Sequence, residues 1–335
     1  MQFKALRIHQ LASGKTDARY QSMSVDDLTA GEVLIRVEYS SINYKDALAA
    51  TGTGKILRQF PLNGGIDLAG IVERSDSAAF KPGQSVLVTG CGLSETLDGG
   101  YAEYARVPAS AVIALPSGLS ALDAMTLGTA GFTAALAIHR LEHNGLTPAD
   151  GDVVVTGASG GVGSIAINML AARGYSVIAM SGRETQHEYL KTLGAKQMIS
   201  RNDVSISTAP LEKSRFAAAI DNVGGDMLSW LVRSLRNQGG IASIGMTGGS
   251  DLHVSVMPFI LRGVNLLGIN SAATPRTWRE QVWHRIATDL NPPQLATIRT
   301  RVVEFDQLLQ VFPDYLNNQV HGRTVVRIAG QPCLT

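Results

Sequence analysis

Closely spaced glycines carry the first chemical statement of this chain. In Asp152-Val-Val-Val-Thr-Gly-Ala-Ser-Gly-Gly-Val-Gly163 they fall at 157, 160, 161 and 163. Glycine has no β-carbon, so a pyrophosphate can approach the main chain there. Behind the turn, Val153 to Val155 form the short β-branched run of a buried parallel strand. Ahead of it, Ile165, Met169 and Ala172 share one face of an expected helix. An anion over that helix N-terminus would meet unpaired N–H groups and the favourable end of the dipole. A second strand, 176–180, closes a βαβ unit. The pattern is G-x-x-G-x-x-G rather than G-x-G-x-x-G, and alone it would be weak. Set between strand and helix, it indicates a dinucleotide rather than a plain tight turn. The chain reads as a nucleotide-dependent enzyme.

The residues just beyond the second strand select the nucleotide. NAD sites place an acidic residue about 20 positions beyond the glycines, to accept from the ribose hydroxyl. This chain has Ser181-Gly182-Arg183 there, with Glu184 next. A hydroxyl and a guanidinium suit a 2′-phosphate, which a carboxylate would repel. NADP(H) is therefore the expected cofactor. The competing reading is a solvated left-handed turn carrying a surface arginine. Arg201, just beyond a third expected strand at 197–200, offers a second cation for that phosphate.

Other patterns carry less. His139-Arg-Leu-Glu-His143 fits the H-x-x-E-H pattern of certain zinc peptidases, with two imidazoles on one helix face. No third ligand accompanies it, and two solvated helix histidines are the reading adopted. The 2 cysteines, Cys91 and Cys333, cannot build a disulfide framework or a multi-cysteine zinc lobe. Cys91, in Thr89-Gly-Cys-Gly-Leu93, has no histidine beside it and reads as a small buried residue. Trp278, Trp283 and His284 read as packing or interface residues on a helix.

The elements that must position these residues are unevenly distributed. As far as about residue 115 the text is short β-like runs, such as 32–39, 68–73 and 84–89, broken by Gly, Pro, Asn and Asp. Helices are expected at 121–127 and 133–142. Strands and helices then alternate over 150–270, which implies a parallel doubly wound sheet with further strands at 217–220 and 241–244. Ligands of such sheets lie outside the strand C-termini, so Asp221-Asn222-Val223-Gly224 and Gly245-Met246-Thr247 are expected to line the cofactor cleft. A helix near 278–290 precedes strand-like text at 324–328, so the tail is expected to return to the first domain. The 335 residues suffice for two domains, and a net charge of +1 suggests neither a nucleic acid nor an anionic membrane as partner. The opening residues lack a signal-peptide core, and no apolar run reaches the ~18 residues of a membrane helix. A cytoplasmic enzyme is expected.

The chain as a whole resembles the medium-chain dehydrogenase/reductase superfamily. Within it, the sequence is similar to the zinc-free quinone-oxidoreductase-like enzymes, and specifically to the acrylyl-CoA reductase (AcuI/YhdH) group. The residues that carry this are Ser41-Ile-Asn-Tyr-Lys-Asp-Ala47, Gly65-Ile-Asp-Leu-Ala-Gly70, Gly128-Thr-Ala-Gly-Phe-Thr-Ala134 and the glycine turn. Ser181-Gly-Arg-Glu-Thr-Gln-His-Glu-Tyr-Leu190, Met257-Pro-Phe-Ile-Leu-Arg262 and Asn317-Asn-Gln-Val-His-Gly-Arg323 complete the set. The resemblance implies an α/β fold: a GroES-like β-rich catalytic domain at 1–120 and 295–335, and a Rossmann NADP-binding domain at 121–294. It further implies NADPH-dependent reduction of the C=C bond of acryloyl-CoA to propanoyl-CoA, and a homodimer formed through the Rossmann sheet edge near 241–271. Carried over residue by residue, NADP contacts fall at Tyr44, Ser159, Gly160, Gly161, Val162, Ser181, Gly182, Arg183, Arg201, Ser271 and Asn318, with Met246 and Ile260 added. Zinc-binding members have cysteine in the first segment and Gly-His-Glu in the second. This chain has Asn43-Tyr44 and Gly65-Ile66-Asp67, a poor tetrahedral zinc site, so no metal is expected.

The chemistry so implied sets its own demands. Hydride addition to the β-carbon of an unsaturated thioester moves negative charge onto the thioester oxygen, which needs fixed donors, and then a proton at the α-carbon. Tyr44 and Asn43 can donate, with Lys45 more distant. Asp46, Asp67 and Arg323 would hold the loop in a charged, hydrogen-bonded cluster. Each also has a purely structural reading, because Asn and Asp favour turns and a buried Tyr often only packs. A quinone or general enone reductase on the same scaffold is the alternative, and a non-catalytic NADPH-binding sensor is the third.

Overall fold

The computed structural model describes residues 1–204 and 209–328. Cys333 lies outside the described residues. The chain divides into two units: Met1–Thr129 with Ala272–Gln281 and the tail from Arg299, and Ala130–Ser271 with Val282–Ile298.

In the first unit, Gln2–Gln10 pairs antiparallel with Thr16–Ser24 and, through Arg7 and Ile8, with Leu62–Asn63. A larger sheet runs Arg299–Glu304, Arg323–Arg327, Val33–Ile42, Asp67–Ser75, Ser85–Thr89 and Ile113–Ala114, with Tyr104–Val107 also pairing to Val33–Ile42. Val33, Ile35 and Val37 alternate into one core with Val72, Val86 and Val88. Each such side chain contributes ~1.5–3 kcal/mol by leaving water. Register then delivers the polar residues. Thr324 lies opposite Ile42, which brings Arg323 beside Asn43. Tyr39 lies opposite Ala69, and the same pairing two residues on brings Ser41 to Asp67.

Helix Tyr44–Thr51 starts directly after that central strand because Asn43 is an N-cap in extended conformation. Its backbone N–H donates to the Asp46 carboxylate at 2.8 Å, one half of a capping box. Gly52, at φ 71°, ends the helix in the left-handed region.

The second unit is built on six parallel strands in the order Gln197–Ser200, Ser176–Ser181, Asp152–Val155, Phe216–Asp221, Leu235–Ser243, Asn265–Gly268. This is the doubly wound order whose direction reverses beside Asp152–Val155. Val153, Val154 and Val155 are fully buried, as their unbroken β-branched run requires. Helix Gly161–Ala172 leaves the glycine turn with Ile165, Ala166 and Met169 buried.

Two differences from the sequence reading have physical causes. The helices expected at 121–127 and 133–142 are one stretch, Ala121–His143, broken at Gly128 (φ 51°, ψ −153°). Residues 129–132 resume the helix at once, because a single glycine can turn the chain without a loop. This stretch is apolar and long enough by composition to cross a membrane, yet 78% of its most apolar window is buried within the protein, as in a core helix. The short helix at Tyr44 is the second difference; its signal in the sequence is the Asn43/Asp46 spacing.

Candidate active site

Asn43 is the hub of a buried polar cluster in the first unit. Its Nδ2 donates to Asp67 Oδ2 at 2.8 Å and to Asp46 Oδ2 at 3.1 Å, while its Oδ1 accepts from Arg323 Nη1 at 3.1 Å. Asp46, Asp67 and Arg323 are each at most 3% exposed. Asp67 also accepts from Ser41 Oγ (2.7 Å), Thr129 N (3.0 Å) and Thr129 Oγ1 (2.6 Å). Asp46 Oδ1 accepts from Ile66 N at 2.9 Å. Burial, and then the neighbouring Asp67, push the Asp46 carboxyl up to about 7 against the pull of its hydrogen bonds.

Arg323 joins this cluster without a direct ion pair among the described residues. Its Nη2 donates to Ser41 Oγ at 2.9 Å, Nη1 to Ile42 O at 3.2 Å and Nε to Thr126 O at 2.9 Å. Ser41 Oγ therefore stands between the guanidinium and the Asp67 carboxylate. Two tyrosines fix the same strand end: Tyr101 OH donates to Ser41 O (3.0 Å) and Tyr315 OH to Ile42 O (3.2 Å). Burial pushes both phenols up, so they remain donors at any ordinary pH. Tyr44 emerges from this fixed base with 44% of its surface exposed. Lys45 turns aside to an ion pair with Glu95.

Gly128 is what lets the chain close on this cluster. A β-carbon there would lie 2.7 Å from Asp67 Oδ2 and 2.9 Å from both Arg323 Nη2 and Ser41 Oγ. The break it makes also frees the Thr129 N–H to face Asp67. Ser41, Thr126, Thr129, Tyr101 and Tyr315 are site residues that sequence reasoning alone does not single out. The signals the sequence offers are the segments 41–47 and 128–134, which contain Ser41 and Thr129.

In the second unit, the strand C-termini form a separate polar layer. Gly157 is left-handed (φ 57°), and a β-carbon on it would press on Asn222 Cβ at 3.1 Å. The helical ladder begins with Ser164 N to Gly160 O (2.9 Å), so the N–H groups of Gly161, Val162 and Gly163 point out of the helix start. Ser159 is buried beside them. Asp221, fully buried, accepts from Thr156 Oγ1 (2.7 Å) and Gly224 N (2.8 Å), and burial pushes its carboxyl up. Asn222 donates to Thr156 O at 2.8 Å, and its buried Oδ1 has no partner among the described residues. Met246 lies against this layer: its Cα would be 3.0 Å from a β-carbon on Gly224.

The turn after strand Ser176–Ser181 brings Arg201 over Gly182, with Arg183 next in the chain. Ser181 Oγ accepts from Arg183 N at 3.1 Å. Arg201 follows strand Gln197–Ser200, which is parallel and adjacent, and its Nη2 would stand 3.6 Å from a β-carbon on Gly182. A glycine cradle at a helix start, with a hydroxyl and two arginines one strand away, fits a dinucleotide bearing an extra phosphate.

The remaining candidates are more scattered. Ile260, on helix Met257–Arg262, is 74% exposed. Ser271 follows the edge strand Asn265–Gly268 in the second unit. Asn318, left-handed at φ 54°, belongs with Tyr44 to the first unit.

The H-x-x-E-H segment is an ion-pair node. Glu142 meets Arg285 Nη2 at 2.7 Å and Arg173 Nη2 at 3.3 Å, and accepts from Tyr175 OH at 3.0 Å. Among the described residues no three His, Cys, Asp or Glu side chains gather as a metal site. Cys91 is partly buried at φ 52°, and burial pushes its thiol up against the pull of Arg279 and Arg276. Trp283 is buried and stacks on Phe132 at 6.2 Å.

Comparison with known proteins agrees with this layout. Residues 29–117 match the alcohol dehydrogenase GroES-like domain, and residues 161–288 match the family described as zinc-binding dehydrogenase. Acrylyl-CoA reductase AcuI of Ruegeria pomeroyi is 44% identical over 94% of this chain and 96% of its own length. The yhdH oxidoreductase of Salmonella enterica, solved in complex with NADP, is 47% identical and superposes with a TM-score of 0.94 over 97% of this chain and 100% of its own. Protein yhfP of Bacillus subtilis, solved with NAD bound, is 44% identical with a TM-score of 0.95, covering 98% and 99%.

Proposed function

This chain belongs to the quinone-oxidoreductase-like family of medium-chain dehydrogenases/reductases, and we propose that it reduces the C=C bond of acryloyl-CoA with NADPH, giving propanoyl-CoA. The observation that carries the cofactor preference is the Ser181-Gly182-Arg183 turn with Arg201 over Gly182, where an NAD site would have a carboxylate. NADPH, when bound, supplies the hydride that goes to the β-carbon of the acryloyl group.

The chain's own residues have divided tasks in this reading. Tyr44 is the exposed donor, able to orient the nicotinamide ring or to donate to the oxygen on which enolate charge develops. Asn43 is already committed through both ends of its amide, so it positions Tyr44 rather than touching substrate. Asp46, Asp67 and Arg323 hold Asn43. The remaining cofactor contacts proposed are Ser159, Gly160, Gly161, Val162, Met246, Ile260, Ser271 and Asn318.

The reaction is proposed as metal-free. In support, Asp67 and Asp46 are engaged by the hydrogen-bond donors of Ser41, Asn43, Ile66 and Thr129, and Asn43 supplies neither imidazole nor thiolate. We also propose a cytoplasmic homodimer, joined through the edge strand Asn265–Gly268 and the exposed Val256 and Leu261 that precede it in the chain. Light scattering of the purified protein tests the dimer.

The decisive assay is NADPH consumption with acryloyl-CoA, with crotonyl-CoA and a benzoquinone in parallel, and with NADH as the alternative reductant. The proposal expects kcat/KM for acryloyl-CoA with NADPH to exceed every other combination. Equal or better turnover of the quinone would move the chain to the quinone reductases.

A further inference from the structure

Resting on the acyl-CoA reading, we infer that the loop at 52–61 receives the phosphates of the coenzyme A moiety, with Lys55 and Arg58 as their ligands. The loop joins helix Tyr44–Thr51 to the segment that leads into strand Asp67–Ser75. Both of its ends therefore run into elements that carry the polar cluster.

Its course is fixed rather than free. Ile56 N donates to Gly54 O at 3.0 Å, Arg58 N to Glu95 O at 2.8 Å and Gln59 Nε2 to Thr96 O at 2.6 Å. Ile56 and Leu57 pack on the core of the first unit, which turns their neighbours Lys55 and Arg58 out to solvent. The Glu95 side chain in turn pairs with Lys45, next to Tyr44. That chain of contacts ties the loop to Lys45, next to Tyr44, across the helix of ~12 Å that separates the loop from Tyr44 along the chain. An extended pantetheine arm spans such a separation.

Arg7, Arg19, Arg36 and Lys45 of this unit each have a carboxylate partner. Lys55 and Arg58 have no ion-pair partner among the described residues, and the nearby Glu95 carboxylate is taken by Lys45. Lys4, Lys15, Arg74 and Lys81 of this unit are likewise exposed with no ion-pair partner among the described residues, but Lys55 and Arg58 are the two that share the loop tied through Glu95 to Lys45. Phe60, 37% exposed, adds a ring face on which an adenine could stack. A quinone has no group that calls for two cations. A thioester carried on a phosphorylated nucleotide does.

The test compares acryloyl-CoA with acryloyl-pantetheine, which keeps the thioester and the arm but lacks the phosphates and the adenosine. In the Lys55→Glu/Arg58→Glu enzyme, KM for acryloyl-CoA should rise about tenfold or more, with KM for acryloyl-pantetheine within about twofold of the unaltered enzyme. In the unaltered enzyme, KM for acryloyl-CoA alone should climb with salt. Thermal melts followed by intrinsic fluorescence, and the KM for NADPH, check that the variant is folded. Equal changes for both thioesters, or no change for either, overturn the assignment of the loop and leave the acyl-CoA reading standing. Failure of the unaltered enzyme to reduce acryloyl-CoA overturns both.

Discussion

Gly128 and Asp67 approach so closely that a β-carbon on the glycine would sit 2.7 Å from the carboxylate Oδ2. Its φ and ψ of 51° and −153° are also open almost only to glycine. Gly128→Ala should therefore cost roughly 2–4 kcal/mol through strain and displacement of the cluster together. Thermal and urea unfolding check the stability loss, and a variant within ~0.5 kcal/mol of the unaltered protein would refute the close approach.

Arg201 over Gly182 predicts a cofactor effect without a substrate effect. Removing a charge-assisted contact to the 2′-phosphate should raise KM for NADPH about 10- to 100-fold in Arg201→Ala. KM for NADH should stay as it was. Steady-state kinetics with both reductants read the difference, and a parallel rise for both would mean that Arg201 shapes the turn rather than the phosphate contact.

Tyr44 predicts a loss in the chemical step. A donor to a developing oxyanion contributes ~10²–10³ in rate. Single-turnover hydride transfer in Tyr44→Phe should fall by about that factor, with the melting temperature little changed because the side chain is 44% exposed. Unchanged hydride transfer would leave Tyr44 no role at the oxyanion.

Asp46 predicts a pH dependence of stability. Its folded pKa of about 7 is raised above the ordinary carboxylate value by burial and by Asp67. The folded state therefore holds a proton that the unfolded chain has released. Its contribution is fully present below about pH 4 and declines as pH rises toward 7, with a slope approaching ~1.4 kcal/mol per pH unit. Urea unfolding between pH 5 and 8 should show the decline, and Asp46→Asn should flatten it. An equal slope in both proteins would assign the effect elsewhere.

Legibility from sequence depends on the range of the signal. The glycine turn and the valine run before it are contiguous, so strand, turn and helix can be read directly, as can the parallel sheet that repeats them. The members of the polar cluster are visible one by one, as Asn43, Asp46, Asp67 and Arg323. Their arrangement is not. Arg323 reaches Asp67 through Ser41 Oγ, and that relation depends on two strand registers that no local pattern encodes. Tyr101 and Tyr315 act on carbonyls of residues 60 and 273 positions away in sequence. The interruption expected between helices at 121–127 and 133–142 is legible, but its width is not: it shrinks to Gly128 alone because the residues on both sides are helical.

The pairing of Arg323–Arg327 with Val33–Ile42 has a temporal side. During synthesis the N-terminal part of the first unit emerges well before Arg323, and nearly the whole nucleotide-binding unit is made in between. Until then Asn43 Oδ1 and Ile42 O await their guanidinium. A ribosome-bound chain can thus form its glycine turn, and bind a dinucleotide there, while the cluster beneath Tyr44 is still incomplete. Competence for chemistry would come after competence for binding, set by the order in which the chain is made.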